Sequence, residues 1–495
     1  MSRRRKISIV AGIVFVVAIL IPVIRHYQLR FAVANYIAEL KAKGEPMDLA
    51  QVIPPPVLPE QNGAPLITNA IYHLKENSIP ATNYLFAMRI ITPGRAMIGW
   101  QQPDIRGDAT NTWQELGDEL AEANNNLIQL RNLNDHPFLD FNLNYSQGWS
   151  MPIPHLSKLK RTAQWLDASA LYNLHQRKPT AACADVHAML AIVKGETEER
   201  TTISQLVRIA IASIGANATW EILQATNVSE EDLAQLQQDW QSPEFIRAYE
   251  HILLWERVAA MLTFDQTRRI PYFKIMFAHP PSRWNETQWR WFWSYKDEVL
   301  GLQAFQVVID AARMAETNNS FQPVQSFVHK NFVRLNLEKE NGETQMTNDL
   351  NLNDEAHVMF ISSAYASFSA IRKTIKIETT RNVVVAAIAL KRYALRHHQL
   401  PEKLDELTPD LLQTVPIDCM DGEPLRYQPN ADGTFLLYSV GANGVDDGGN
   451  PSLEKGVTSS NFYWQNDHAL DWVWPQPATE AEIQAYYKKL SSQKN

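Results

Sequence analysis

The chain has 495 residues, 45% of them apolar and 20% charged, a composition that excludes intrinsic disorder and exceeds the needs of one small hydrophobic core. Its formal charge is −8, and the first 30 residues hold six basic groups and no acid, so residues 31–495 carry −14. An acidic body without a lysine–arginine run beyond the first six residues repels phosphate polymers, which excludes nucleic acid as an expected partner.

Residues 1–6 form a basic tail containing Arg3, Arg4, Arg5 and Lys6, followed by an uncharged run of 18 residues, ISIVAGIVFVVAILIPVI, over 7–24. That length approaches the hydrocarbon thickness of a bilayer, and the basic flank favours the cytoplasm, so the pattern predicts a single transmembrane anchor. A cleaved leader ending at the small residues Ala32–Ala34 is the competing reading, but it puts Arg25, His26 and Arg30 where a cleavage region is short and uncharged. The bulk of the chain is therefore expected outside an inner (cytoplasmic) membrane, in a periplasmic or extracellular space.

Residues 25–45 continue at helical spacing through Leu29, Val33, Tyr36, Ile37 and Leu40. Pro46, Pro54, Pro55, Pro56, Pro59 and Pro65 then crowd residues 46–65, which predicts an extended linker, or else a strap laid over the body. Residues 66–319 read as a helical domain. Leu159, Ala163, Leu166, Ala170 and Leu174 repeat on one face, Pro179 opens a helix that closes at Gly195, and residues 201–224 are apolar on more than one side. These predict antiparallel helical hairpins, without the strict period of a named repeat. Residues 320–354 turn polar and predict a linker, whereas 355–398 are helical again, with an eight-residue apolar run, Val383–Leu390, expected to pack on a sheet.

Near the C-terminus, Leu425 and Tyr427 alternate on one side of QPNADG, and Phe435, Leu437 and Ser439 on the other, which predicts a hairpin. The order of a helix ending in KRY, then LPEKLDEL, VPIDCMDGEPLRY, the hairpin and YSVGANGVDDGG resembles the globular part of the major pseudopilins of type II secretion. The resemblance covers about Val383 to Trp474 and implies a small α+β module within residues 355–495. Two substitutions depart from that family: Cys419 stands at a usual proline and Asn443 at a usual aspartate, while the anchor lies far upstream of the module. What the resemblance implies for the glycine-rich loop is a calcium site, with Asn443, Asp446, Asp447 and Asp471 as ligands; a plain solvated turn is the alternative.

Among remaining candidates, Trp284, Trp289, Trp291 and Trp293 cluster within ten positions, and Trp289 and Trp293 are one helical step of four apart. That spacing suggests a shared face for stacking on glycan or for partner contact, with core packing as the commoner outcome. His397 and His398 are adjacent and diverge on a helix, so they suit its C-terminal dipole better than a metal. Acid pairs such as Glu115 with Glu119 and Glu198 with Glu199 read as solvated faces. Cys183 and Cys419 are 236 positions apart, outside any C-x-x-C pair, and the zinc-protease and serine-hydrolase signatures H-E-x-x-H and G-x-S-x-G do not occur.

The sequence thus predicts a mainly α chain: an N-terminal transmembrane helix, an antiparallel helical-hairpin domain and a small C-terminal α+β pseudopilin-like module. The expected role is a non-enzymatic, membrane-anchored interaction or assembly protein with an envelope protein partner, the alternative being a cell-wall glycan-acting or glycan-binding protein.

Overall fold

The computed structural model describes residues 3–493 apart from 77, 83–84, 86, 106–110, 270–286, 341–354 and 458–463. Trp284 lies outside the described residues.

Helix α1 (Arg3–Ala42) is one 40-residue rod that runs through Pro22. Ile9, Val10, Ile13, Val14, Phe15, Leu20, Ile21 and Ile24 on it are all exposed, and its apolar window has a mean hydropathy of 1.8 with 0% of it buried. Such a helix is long and apolar enough to cross a membrane. Its distal part is different: Val33 and Leu40 are buried against the body. The proline-rich segment is a strap, since Met47 and Val52 are buried and the short α2 (Leu49–Val52) packs on a long body helix; Glu45 at its start is ion-paired beneath it.

Next come α3 (Ala64–His73), α4 (Ile79–Thr82), α5 (Trp113–Glu122) and α6 (Asn124–Arg131). Thr112 and Glu115 form a reciprocal capping box at the start of α5, so Glu115 is a cap rather than a free acid. The centre of the body is the trio α7 (His155–His175), α8 (Pro179–Gly195) and α9 (Thr202–Leu223), each packed on the other two. Helix α9 is also long and apolar enough to cross a membrane, but 61% of that window is buried, so it is a core helix. Helices α10 (Glu230–Gln241), α11 (Phe245–Arg269) and α12 (Ser294–Asn318) follow.

Residues 320–334 differ from the expected linker. Phe321–Arg334 is helix α13, which buries Phe321, Val324, Val328 and Phe332 in a second core with Tyr249, Val308 and Ile371. Those four residues recur at steps of three and four, an apolar stripe narrow enough to be masked by the polar residues around it.

Helix α14 (Glu355–His397) spans 43 residues and packs on α9, α10, α11 and α12. Its run Val383–Leu390 is covered by helices as well as by a strand, because a stretch apolar all round needs cover on every side. The main core is consequently continuous from Ile67 through Leu159 and Trp220 to Val384, Leu407, Leu437 and Trp474. The helical region and the C-terminal region share that core rather than forming two separate ones.

The two sheets among the described residues are small. β1 (Arg89–Thr92) and β2 (Arg95–Met97) form an antiparallel hairpin around Pro93–Gly94, a turn the sequence carries inside a region read as overwhelmingly helical. β3 (Arg426–Pro429), β4 (Phe435–Ser439) and β5 (Trp472–Val473) form an antiparallel sheet in that order, with Tyr438 paired to Arg426 and to Val473. Past β5 the chain crosses over, and β6 (Gln476–Pro477) adds parallel to β2. Helix α15 (Glu480–Gln493) then covers Ile91 and Met97 with Ile483, Tyr486 and Tyr487.

Candidate functional site

Among the described residues, chemistry gathers at the exit of α1, in the glycine-rich loop, in a buried cluster among the ends of α7, α8 and α9, and in one cleft beside α8 and α10.

At the α1 exit, the apolar run ends at Ile24, and the next two residues meet the aromatic segment. The His26 ring donates through Nδ1 to the Trp291 carbonyl at 2.9 Å, its centroid lies 5.0 Å from the Trp291 ring, and Arg25 sits 5.9 Å over Trp293. Trp289–Trp293 forms a π-turn at the head of α12, and such a turn breaks the four-residue register of an α-helix. Trp289 and Trp293 therefore do not present one face. Trp289 is 3% exposed, donates Nε1–H to Asp297 at 2.7 Å and stacks near Phe264, whereas Trp291 is 53% exposed and Phe292 and Trp293 are 38% exposed. An exposed aromatic group thus lies level with the end of the exposed apolar half of α1. Below it, Glu45 accepts from Arg257 at 3.0 Å and Arg313 at 2.5 Å, clamping the foot of α1 to α11 and α12. Burial alone would raise the Glu45 pKa, but the hydrogen bonds and charges of the two arginines outweigh it and hold the carboxyl below its usual value.

The glycine-rich loop is organised from within. Asp471 is fully buried, and its two oxygens accept three backbone N–H groups, from Asp447 at 3.3 Å, Gly449 at 2.8 Å and Asn450 at 2.9 Å. Positive φ at Gly441, Gly444, Gly448 and Gly449 turns those N–H groups inward. Asn443 donates to Asp447 at 3.0 Å, and Asp446 accepts from the Tyr438 hydroxyl at 2.9 Å. All four candidate calcium ligands are thus brought into one loop, but the positive charge facing Asp446 is the guanidinium of Arg426, 3.5 Å away. Arg426 also reaches Asp421 at 2.5 Å and the buried Asp418 at 3.4 Å, and Asp418 in turn accepts from Ser439 and the Val440 N–H. Burial raises the Asp418 pKa to about 6.

The third place was missed by the sequence reading, which placed Glu198 and Glu199 on a solvated face. Glu199 is 4% exposed; its carboxylate lies 2.8 Å from His155 Nε2 and accepts from Ser204 Oγ. Glu196, on the 3-10 turn Glu196–Glu198, is 3% exposed, and among the described residues neither of its carboxylate oxygens has a hydrogen-bond partner. One ligand atom from each of His155, Glu196 and Glu199 falls within 4.8 Å of the others. The Phe141 ring stacks on His155 with centroids 4.2 Å apart. Gly195 makes that approach possible: a Cβ there would come within 2.6 Å of Leu139, whose N–H donates to the Gly195 carbonyl. Burial first, then the Glu199 charge, pushes the Glu196 pKa well above its usual value, against a smaller opposing effect of Arg208. Arg208 makes no hydrogen bond to Glu196; it donates instead to Val193 O at 2.6 Å and to Gln205. No spacing motif joins positions 155, 196 and 199, so only the fold brings them together.

On the outer side of α8 and α10, a cleft of about 350 Å³ is lined by His187, Asp239 and Ser242 among others. His187 Nδ1 contacts Asp239, and Ser242 makes no side-chain hydrogen bond to the pair. Cys183 and Cys419 are both buried free thiols.

No family model, no curated protein and no solved structure matches this chain.

Proposed function

We propose that the chain is a non-enzymatic, single-pass membrane protein of a bacterial envelope, with its body held outside the inner (cytoplasmic) membrane as an interaction or assembly platform. The observation that carries this reading is the alignment of the exposed apolar half of α1 with the exposed Trp291, Phe292 and Trp293 at its exit. Together they give the protein one apolar end of about the thickness of a bilayer's hydrocarbon core, with an aromatic group at its interface. The tail Arg3–Lys6 supports a cytoplasmic N-terminus. The clamp of Glu45 on Arg257 and Arg313 supports a body fixed in orientation to the anchor, as a platform requires.

The pseudopilin-like reading of residues 355–495 is kept as part of the proposal. It is supported by a long helix, α14, lying against a three-stranded antiparallel sheet and by a loop organised on Asp471. The mutual packing of α7, α8 and α9, consecutive in the chain, supports the hairpin reading of the helical region. Envelope proteins are the partners this arrangement suits. In-cell cross-linking of the tagged full-length chain, followed by carbonate washing of the membranes, tests both parts. A chain that leaves with the wash refutes the anchor, and a chain that stays in the pellet with no cross-linked species refutes the platform.

A further inference from the structure

We propose that His155, Glu196 and Glu199 hold one divalent cation of the zinc type inside the helical body. The argument starts from Glu196. A buried carboxylate with neither oxygen partnered among the described residues is costly wherever it stays ionised, and a cation is the most direct compensation. Around it the fold supplies the complementary donors: an imidazole nitrogen and a second carboxylate, with one ligand atom of each residue within 4.8 Å of the rest. Three protein ligands of nitrogen and oxygen type are a familiar zinc set, and an imidazole selects against magnesium and calcium.

The surroundings are built in the same sense. Ser204 Oγ donates to the Glu199 oxygen that does not face His155, which orients the carboxylate, and the stacked Phe141 ring fixes the imidazole plane. Two carboxylate charges meet one dication, leaving no excess charge on the ligand set. His155 opens α7, Glu196 follows the last residue of α8, and Glu199 precedes α9, so the ion ties three helix ends together. Depth and position give it a structural role.

The test uses the full-length chain in detergent micelles, stripped with a chelator and titrated with Co²⁺ and then Zn²⁺. One Co²⁺ per chain is expected, with visible d–d absorption that Zn²⁺ abolishes, and Zn²⁺ is expected to raise the Tm. His155→Ala and Glu196→Gln should each weaken binding by about tenfold or more. Glu196→Gln is the decisive variant, because it removes a buried charge while keeping the shape: the metal-free variant should melt no lower than the metal-free parent, yet lose the Zn²⁺-induced rise. A parent that takes up no Co²⁺ or Zn²⁺ overturns the proposal. So does binding that His155→Ala and Glu196→Gln leave unchanged.

Discussion

Glu45 and Arg257 meet at 3.0 Å, with the arginine side chain fully buried and the glutamate nearly so. Arg257 Nη2 also donates to the Pro46 carbonyl, so one guanidinium fixes the end of α1 and the start of the strap together. Glu45→Gln is expected to destabilise the chain by about 3 kcal/mol, since removing one partner leaves a buried charge uncompensated. Denaturant unfolding in detergent measures it, and a loss below about 0.5 kcal/mol would show that water reaches the pair. The pH sign follows from the lowered Glu45 pKa: its contribution is present above the ordinary carboxyl value and is lost as pH falls through the folded value. The variant should therefore differ least from the parent in acid.

A second pH effect has the opposite sign. Glu221 accepts from the Met88 N–H at 2.7 Å and the Gly99 N–H at 2.9 Å, and burial raises its pKa to about 8. The native state therefore favours the protonated form. That contribution is complete below the unfolded carboxyl value and is lost as pH rises towards 8, by up to about 1.4 kcal/mol per pH unit. Glu221→Gln should flatten the fall in stability between pH 5 and pH 8, as read from Tm against pH. An unchanged slope would place the ionisation elsewhere.

The loop prediction concerns Asp471. Asp471→Ala removes the acceptor of three backbone N–H groups and is expected to cost about 2–3 kcal/mol, with faster amide exchange at Asp447, Gly449 and Asn450. Because Arg426 already faces Asp446, millimolar calcium is expected to leave the Tm of the parent unchanged. A calcium-induced rise that Asp447→Asn abolishes would instead establish the ion as a ligand of the loop.

For the aromatic belt the expected observation is optical. In vesicles containing lipids brominated near the headgroups, Trp291 and Trp293 should be quenched and the buried Trp289 should not. Variants retaining one tryptophan of the π-turn at a time resolve the three. Equal quenching of all three would mean that the π-turn does not separate them, and no quenching at Trp291 or Trp293 would place the belt away from lipid.

Much of the architecture was legible because it rests on short-range signals. The apolar half of α1 is visible as an uncharged run, and the β3–β4 hairpin as alternation about a turn of proline, asparagine, aspartate and glycine. Helix α13 was hidden because its stripe of Phe321, Val324, Val328 and Phe332 is diluted by polar neighbours. The β1–β2 hairpin did carry a signal, Pro93–Gly94, but its strands are too short to show a period. The continuity of the core was not legible, since nothing local tells Val383–Leu390 that α9 and α10 will cover it. Trp289 and Trp293 were separated by a π-turn that spacing alone does not announce. The buried trio is the extreme case: His155 is more than forty positions from either glutamate, and the two glutamates were indistinguishable from surface acids until the fold enclosed them.

The parallel pairing of β6 with β2 carries one more consequence, for biogenesis. Gln476 donates to the Gly94 carbonyl, so the edge of β2 stays uncovered until residues much further along the chain have been made. Closing so long a loop is slow, and a nascent chain would expose that edge throughout. Losing β6 and α15 would therefore injure the β1–β2 hairpin, far from the break in sequence.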